Sequence, residues 1–182
     1  MDQLVSPDTV IQFWREAGPE KWFAKDDAFD QAIRDRFLAT YRAAARGDLN
    51  EWELTPEGAL AVVILLDQFP RNMFRGTRDV YKTDPVAVMV ADRAIERGFD
   101  RKVAPELRRF FYLPFMHSES LRHQERSVAL NEALGEEDSI KWARHHHDIV
   151  ARFGRFPHRN SILGRETTPE EEAFLKESDF RG

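Results

Sequence analysis

The stretch Thr55–Arg75, TPEGALAVVILLDQFPRNMFR, decides the fold. Thr55 followed by Pro56 is a helix start. The threonine hydroxyl can accept from the open N–H groups of the first turn, and proline's fixed φ suits the first helical position. Leu60, Val63, Ile64 and Asp67 then share one face at helical spacing. The apolar run from Ala59 to Leu66 is far shorter than the roughly 20 residues of a membrane-spanning helix. Pro70 is expected to break the helix near Phe69 and leave Arg71, Asn72 and Arg75 in a loop before Gly76. Asp67, on the apolar face, is expected to point inward and to need Arg71 or Arg75 as a partner.

The same start signal recurs at Ser6-Pro7, Asp84-Pro85 and Thr168-Pro169, and more weakly at Ala104-Pro105. Glu171, three residues after Thr168, completes a capping box. Apolar stripes follow each start. Phe29, Ile33, Phe37 and Tyr41 recur every four residues, Leu107, Phe110, Phe111 and Phe115 make an aromatic row, and Leu121, Val128 and Leu134 mark another helix. Trp142, His146, Ile149, Val150 and Phe153 mark the next, closed by Gly154. Alternating strand patterns and Asn-Gly hairpins are missing. The reading is an all-α fold of about eight helices, packed as antiparallel hairpins in the manner of a short helical stack. After about Leu175 the chain is expected to fray.

A chain of 182 residues suits one domain spanning residues 1–182. Its 42% hydrophobic content excludes disorder, and 14 Phe with 4 Trp imply an aromatic core. The sequence has no cysteine, which excludes disulfides, thiolate catalysis and cysteine-ligated metal. The opening MDQLVSPDTV lacks the basic and apolar regions of a secretory signal, so a cytoplasmic protein without a membrane partner is expected, with a monomer favoured. A net charge of -5 argues against a nucleic-acid partner.

Against that acidic background, RFGRFPHRN, residues 152–160, gathers Arg152, Arg155, His158, Arg159 and Asn160 around two phenylalanines. Guanidinium forks suit carboxylates and phosphates. Capping of the preceding helix would account for Arg152 and Arg155 and leaves the others unexplained. In FMHSESLRHQER, Ser118 or Ser120 suits a helix N-cap and Glu119 a first turn, whereas His117 is explained by neither and suits acid–base work. His145, His146 and His147 point about 100° apart in a helix and cannot converge on a metal, so no metal or other cofactor is expected. His146 falls on the apolar stripe and should face inward. No Gly-rich phosphate loop, nucleophile elbow or H-E-x-x-H is present.

Four segments together carry a resemblance: FWREAGPEKWFAKDDAFD, LLDQFPRNMFRGT, FFYLPFMHSESLRHQERSV and HDIVARFGRFPHRNSILGR. They resemble the bacterial family called domain of unknown function 924, over about Val10 to Leu175. The resemblance implies a single all-α domain with a tetratricopeptide-like helix arrangement and no agreed activity. The matching residues are Asp67, Gln68, Arg71, Asn72, Arg75, His117, Ser118, Glu119, Gln124, His146, Arg152, Arg155, His158, Arg159 and Asn160. His123, His145 and His147 fall outside the motif.

The sequence therefore points to a pocket for a small anionic or phosphate-bearing metabolite. Arg71, Arg75, Arg155 and Arg159 are its expected charged donors. His117, His146 or His158 with Glu119 are the groups expected to carry any acid–base step, hydrolysis being the class considered. The rival readings are a module that binds a peptide or its C-terminal carboxylate in a groove and a buried scaffold network of the same motifs with no ligand.

Overall fold

The computed structural model of the protein describes residues 4–178. Every regular element among them is helical, as the periodicities predict. The α-helices are α1 (Pro7–Ala17), α2 (Pro19–Trp22), α3 (Asp27–Arg46), α4 (Pro56–Val63), α5 (Phe69–Met73), α6 (Asp84–Glu96), α7 (Leu113–Met116), α8 (Leu121–Leu134), α9 (Glu137–Phe153), α10 (Asn160–Leu163) and α11 (Pro169–Glu177). Past Leu175, where fraying is expected, α11 continues to Glu177, and positions 179–182 lie outside the described residues. No helix among the described residues is long and apolar enough to cross a membrane.

Three of the expected caps form as written. Ser6 Oγ accepts from Thr9 N–H, Thr55 Oγ1 from Gly58 N–H, and Thr168 with Glu171 builds the capping box. The fourth does not. Helix α6 begins at Asp84 itself, and that carboxylate is committed to Arg71. The weak signal at Pro105 opens a 3₁₀ segment, Pro105–Phe111, rather than an α-helix. Its three-residue repeat puts Leu107 and Phe110 on one buried side.

Pro70 does not break the helix that starts at Pro56. Between α4 and α5 the chain widens into a π-helical turn, Ile64–Gln68, and helix resumes through Met73. Proline at 70 has no N–H for the Leu66 carbonyl and its ring crowds that oxygen. The wider turn relieves the crowding, and Thr83 Oγ1 donates to the Leu66 carbonyl at 2.6 Å. Arg71 and Asn72 consequently lie in a helix, not in the expected loop.

By internal contacts the chain forms two compact units, one of residues 4–75 and 79–114, the other of residues 76–78 and 115–178. In the N-terminal unit every residue from Gly58 to Pro70 is buried. Such an all-round apolar helix belongs at the centre of a core, and α1 and α6 pack against α4. Trp14, Phe37, Phe69 and Phe110 are fully buried beside it. Phe37 and Phe69 have centroids 4.8 Å apart, and Trp14 lies 5.6 Å from both Phe69 and Phe110. Gly58 is held to glycine by close approach: a Cβ there would lie 2.0 Å from the Trp52 carbonyl oxygen. Gly58→Ala, which gains about 1 kcal/mol in an open helix, is therefore expected to destabilise the protein. A higher denaturant midpoint would contradict this.

In the C-terminal unit α8 and α9 pack together across the Gly135 turn. Ala143, His146, Ile149 and Val150 are the buried face of α9. The buried face of α8 is polar, consisting of Gln124, Ser127 and Asn131, while Leu121 of the expected apolar stripe is exposed. Asn131 Nδ2 closes onto the Ser127 carbonyl at 2.8 Å, which satisfies one buried donor. Ile149, Val150 and Phe156 form a small core covered by Phe153 and Phe174.

Candidate functional site

The polar motif of the N-terminal unit is a set of ion pairs. Arg71 donates to both oxygens of Asp84, at 2.8 and 3.0 Å, and to the Asp67 carbonyl at 2.7 Å. Asp67 is fully buried, as its apolar-face position predicts, and its carboxylate lies 3.6 Å from Arg71. Gln68 Nε2 donates to the same carboxylate. Burial alone would lower the Arg71 pKa, but Asp84 and Asp67 outweigh it and hold the guanidinium firmly charged. Arg75 makes a two-pronged pair with Asp30 at 2.8 and 3.1 Å, and Asn72 Nδ2 donates to Asp30 as well.

The C-terminal unit carries a second framework. Glu119 pairs with Arg165 through both oxygens, at 2.8 and 2.9 Å, and accepts from the Phe156 N–H at 2.8 Å. Glu171 pairs with Arg155 at 2.7 and 2.9 Å. Asn160, fully buried, joins the two: its Nδ2 donates to Glu171 and its Oδ1 accepts from Arg165. Glu171 thus serves the capping box and the arginine with one carboxylate. Arg155 is the main cause that holds Glu171 down at about 2. Burial pushes Glu119 up, but the hydrogen bonds from Arg165 and Phe156 and the charges of Arg159 and Arg165 bring it below the usual carboxylate range. Glu119 lies before α8, whose N-cap is Ser120, so it does not sit in the first turn as expected. It ties the 117–120 segment to the 155–165 segment instead. Arg152 lies over the Phe153 ring at 4.7 Å and pairs with Glu170; both charged side chains are largely exposed, an arrangement worth little.

Three of the remaining motif residues, Arg159, His146 and His158, surround one ring. Phe156 is fully buried. The Arg159 guanidinium lies 4.7 Å from its centroid, the His146 ring 5.6 Å and the His158 ring 5.8 Å. Arg159, itself buried, donates to the His117 carbonyl at 2.8 Å. His146 is buried, as its place on the stripe predicts, with Nδ1 2.8 Å from the Trp142 carbonyl. A carbonyl oxygen only accepts, so Nδ1 carries the proton and Nε2 is the ring's acceptor. Burial, reinforced by His117, His145 and Arg159, pushes the His146 pKa down to about 3. His146 is therefore neutral at physiological pH.

Gln124 and Ser118 shape the neighbouring turn. Gln124, fully buried, donates to the carbonyls of Phe115, Met116 and Ser118. Ser118 Oγ lies 2.8 Å from His123 Nδ1. Sequence reasoning missed this contact because His123 lies outside the motif, and it missed Arg165 although SILGR was part of the matching stretch. Ion pairing by Asp30 and Asp84 left no local signal, since each partner is far along the chain. Among the described residues no group of His, Asp and Glu is placed to hold a metal ion. A cleft of about 240 Å³ in the N-terminal unit, lined in part by Val62, Leu66, Val90, Glu53 and Arg93, contains none of the candidate residues.

Residues 10–179 match the model of a family described as bacterial protein of unknown function (DUF924). The chain is similar to a protein of unknown function, ATU0120, from Agrobacterium tumefaciens, whose solved structure superimposes with a TM-score of 0.92. The two are 52% identical over 94% of this chain and 97% of the other. No curated protein matches. The family match over nearly the whole length, together with this close structural similarity, establishes that the chain belongs to the DUF924 family of bacterial proteins of unknown function.

Proposed function

We propose that the C-terminal unit binds a small anion of the phosphate class among Arg159, His117, His146 and His158. The observation that carries this reading is the gathering of bases about Phe156: a buried guanidinium and two imidazoles within 6 Å of one ring centroid. Besides burial, the neighbours that push His146 down, His117, His145 and Arg159, are themselves bases, and bases attract an anion. A hydrogen phosphate suits the groups on offer. Arg159 supplies a charge-assisted donor, and His146 Nε2 accepts from a P–OH. Because His146 resists protonation, its role is acceptor rather than acid.

The other arginines fill a different role. Arg71, Arg75 and Arg155, expected from the sequence to meet the ligand, each hold a carboxylate through two hydrogen bonds. Glu119 and Arg165 fix the backbone of Phe156 from both sides, its N–H and its carbonyl. They position the ring on which the bases gather, so Glu119 acts as a positioning residue and not as an acid–base group.

Isothermal titration with inorganic phosphate tests the reading. The wild type is expected to give saturable heat. Arg159→Gln is expected to weaken binding at least tenfold, about 1.4 kcal/mol, while Arg101→Ala, exposed and far from the motif in sequence, leaves it unchanged. His158→Ala, at a half-buried position, provides a second variant should Arg159→Gln fail to fold. Unchanged affinity in a folded variant removes the site. Heat from a peptide carboxylate in place of phosphate would favour the peptide-binding reading.

A further inference from the structure

We infer that Ser118 is a nucleophile activated by His123, which gives the C-terminal unit an acyl-transfer activity on small carboxylic esters, independent of the anion site. Ser118 Oγ and His123 Nδ1 are 2.8 Å apart, within the range of a nucleophile and its base. Both residues are half-buried, so the pair is neither sealed from a substrate nor fully solvated. Ser118 Oγ also accepts from the Ser120 N–H at 3.2 Å, a donor that stabilises negative charge as the hydroxyl loses its proton. With His123 bare at Nδ1, the hydroxyl donates to the imidazole, which is the arrangement a general base requires.

The turn that presents Ser118 is held at four successive carbonyls. Gln124 Nε2 donates to Phe115, Met116 and Ser118 at 3.4, 2.7 and 2.6 Å, and Arg159 donates to His117 at 2.8 Å. Gln124 has no exposed surface, so this clamp is rigid. Preorganisation of this kind is what keeps a nucleophile in a reactive geometry. A serine that merely shaped the turn would use the Ser120 contact alone. The imidazole at hydrogen-bond distance is an addition that turn formation does not need.

In the reaction, Ser118 Oγ bonds to the ester carbonyl carbon as its proton passes to His123 Nδ1. Collapse of the tetrahedral adduct breaks the C–O bond, and the departing alkoxide takes that proton. Water then adds to the acyl-serine and releases the carboxylic acid, restoring the hydroxyl.

The test uses the full chain and a fluorophosphonate probe. Attack by Ser118 forms an Oγ–P bond, expels fluoride and passes the hydroxyl proton through His123 to solvent. One adduct per chain is expected by intact mass, mapping to Ser118 and absent in Ser118→Ala. The labelling rate should rise with pH as the imidazole loses its proton. His123→Gln keeps the Ser118–Ser120 turn, so it remains informative if Ser118→Ala is unstable. It should slow labelling by roughly 100-fold and flatten the pH profile. Ser161→Ala, at an exposed serine outside the turn, should label as the wild type does. Phosphate binding should survive Ser118→Ala, which separates this inference from the anion site. Absence of an adduct, an adduct on another residue, or wild-type labelling of His123→Gln would overturn it.

Discussion

Glu171→Ala is expected to lower stability by about 3 kcal/mol, which for a chain of this size shifts the thermal midpoint by roughly 6–12 °C. Its carboxylate is almost fully buried and receives Arg155, Asn160 and the Thr168 N–H. Removing it takes the carboxylate partner from Arg155, which keeps the Glu166 carbonyl, and an acceptor from Asn160 and the Thr168 N–H. The effect depends on pH. Glu171 is held down at about 2, below its ordinary 4.5. Its contribution is therefore complete above pH 4.5 and disappears as pH falls towards 2. A double-mutant cycle with Arg155→Ala measured at pH 7 should show coupling of about 1–3 kcal/mol. Additive losses would mean that the pair is a surface contact and not part of the framework.

His146 gives the second large effect. A histidine that resists protonation in the fold but not in the unfolded chain destabilises the protein in acid. Its contribution is complete above pH 6.5, the ordinary value, and is lost progressively as pH falls towards about 3. Between pH 7 and pH 5 the stability should drop by about 2 kcal/mol from this group alone. The carboxylates Glu119 and Glu171 begin to contribute only below pH 4.5, so neither adds to the change between pH 7 and pH 5. His146→Gln, which retains a donor for the Trp142 carbonyl, should flatten the curve between pH 7 and pH 5. Chemical denaturation across that range measures it, and an equally steep curve in the variant would assign the acid sensitivity elsewhere.

The fold was legible wherever local chemistry acts alone. Ser6, Thr55 and Thr168 cap their helices because a hydroxyl beside proline has few other uses. Pro70 misled because the rule for a helical proline considers only the i−4 carbonyl. Here a π turn relaxes the clash, and Thr83, distant in sequence, satisfies the oxygen. The buried face of α8 was hidden because periodicity is sought in apolar residues, and Gln124, Ser127 and Asn131 are polar. The inward turn of His146 was visible from its stripe, and that of Asp67 from its own.

The candidate site was legible as a list of residues and not as a set of roles. Arg155 and Arg159 look alike in RFGRFPHRN, yet Arg155 is bound to Glu171 and Arg159 lies over Phe156. Nothing local separates them, because the partner of Arg155 comes 16 residues later, on α11. Glu119 read as a helix cap for the same reason: its partner Arg165 is 46 residues away.

We propose that the C-terminal motif divides into a paired framework and a cluster of bases around Phe156 that takes an anion. Titration of phosphate into uniformly ¹⁵N-labelled protein, with detection at the histidine side chains, tests it most directly. The imidazole signals of His117, His146 and His158 should move together and saturate with one dissociation constant, and that movement should vanish in Arg159→Gln. Signals of His147, which pairs with the exposed Asp148, should stay in place. Imidazole signals that all remain fixed, or His147 moving in step with the others, would contradict the account.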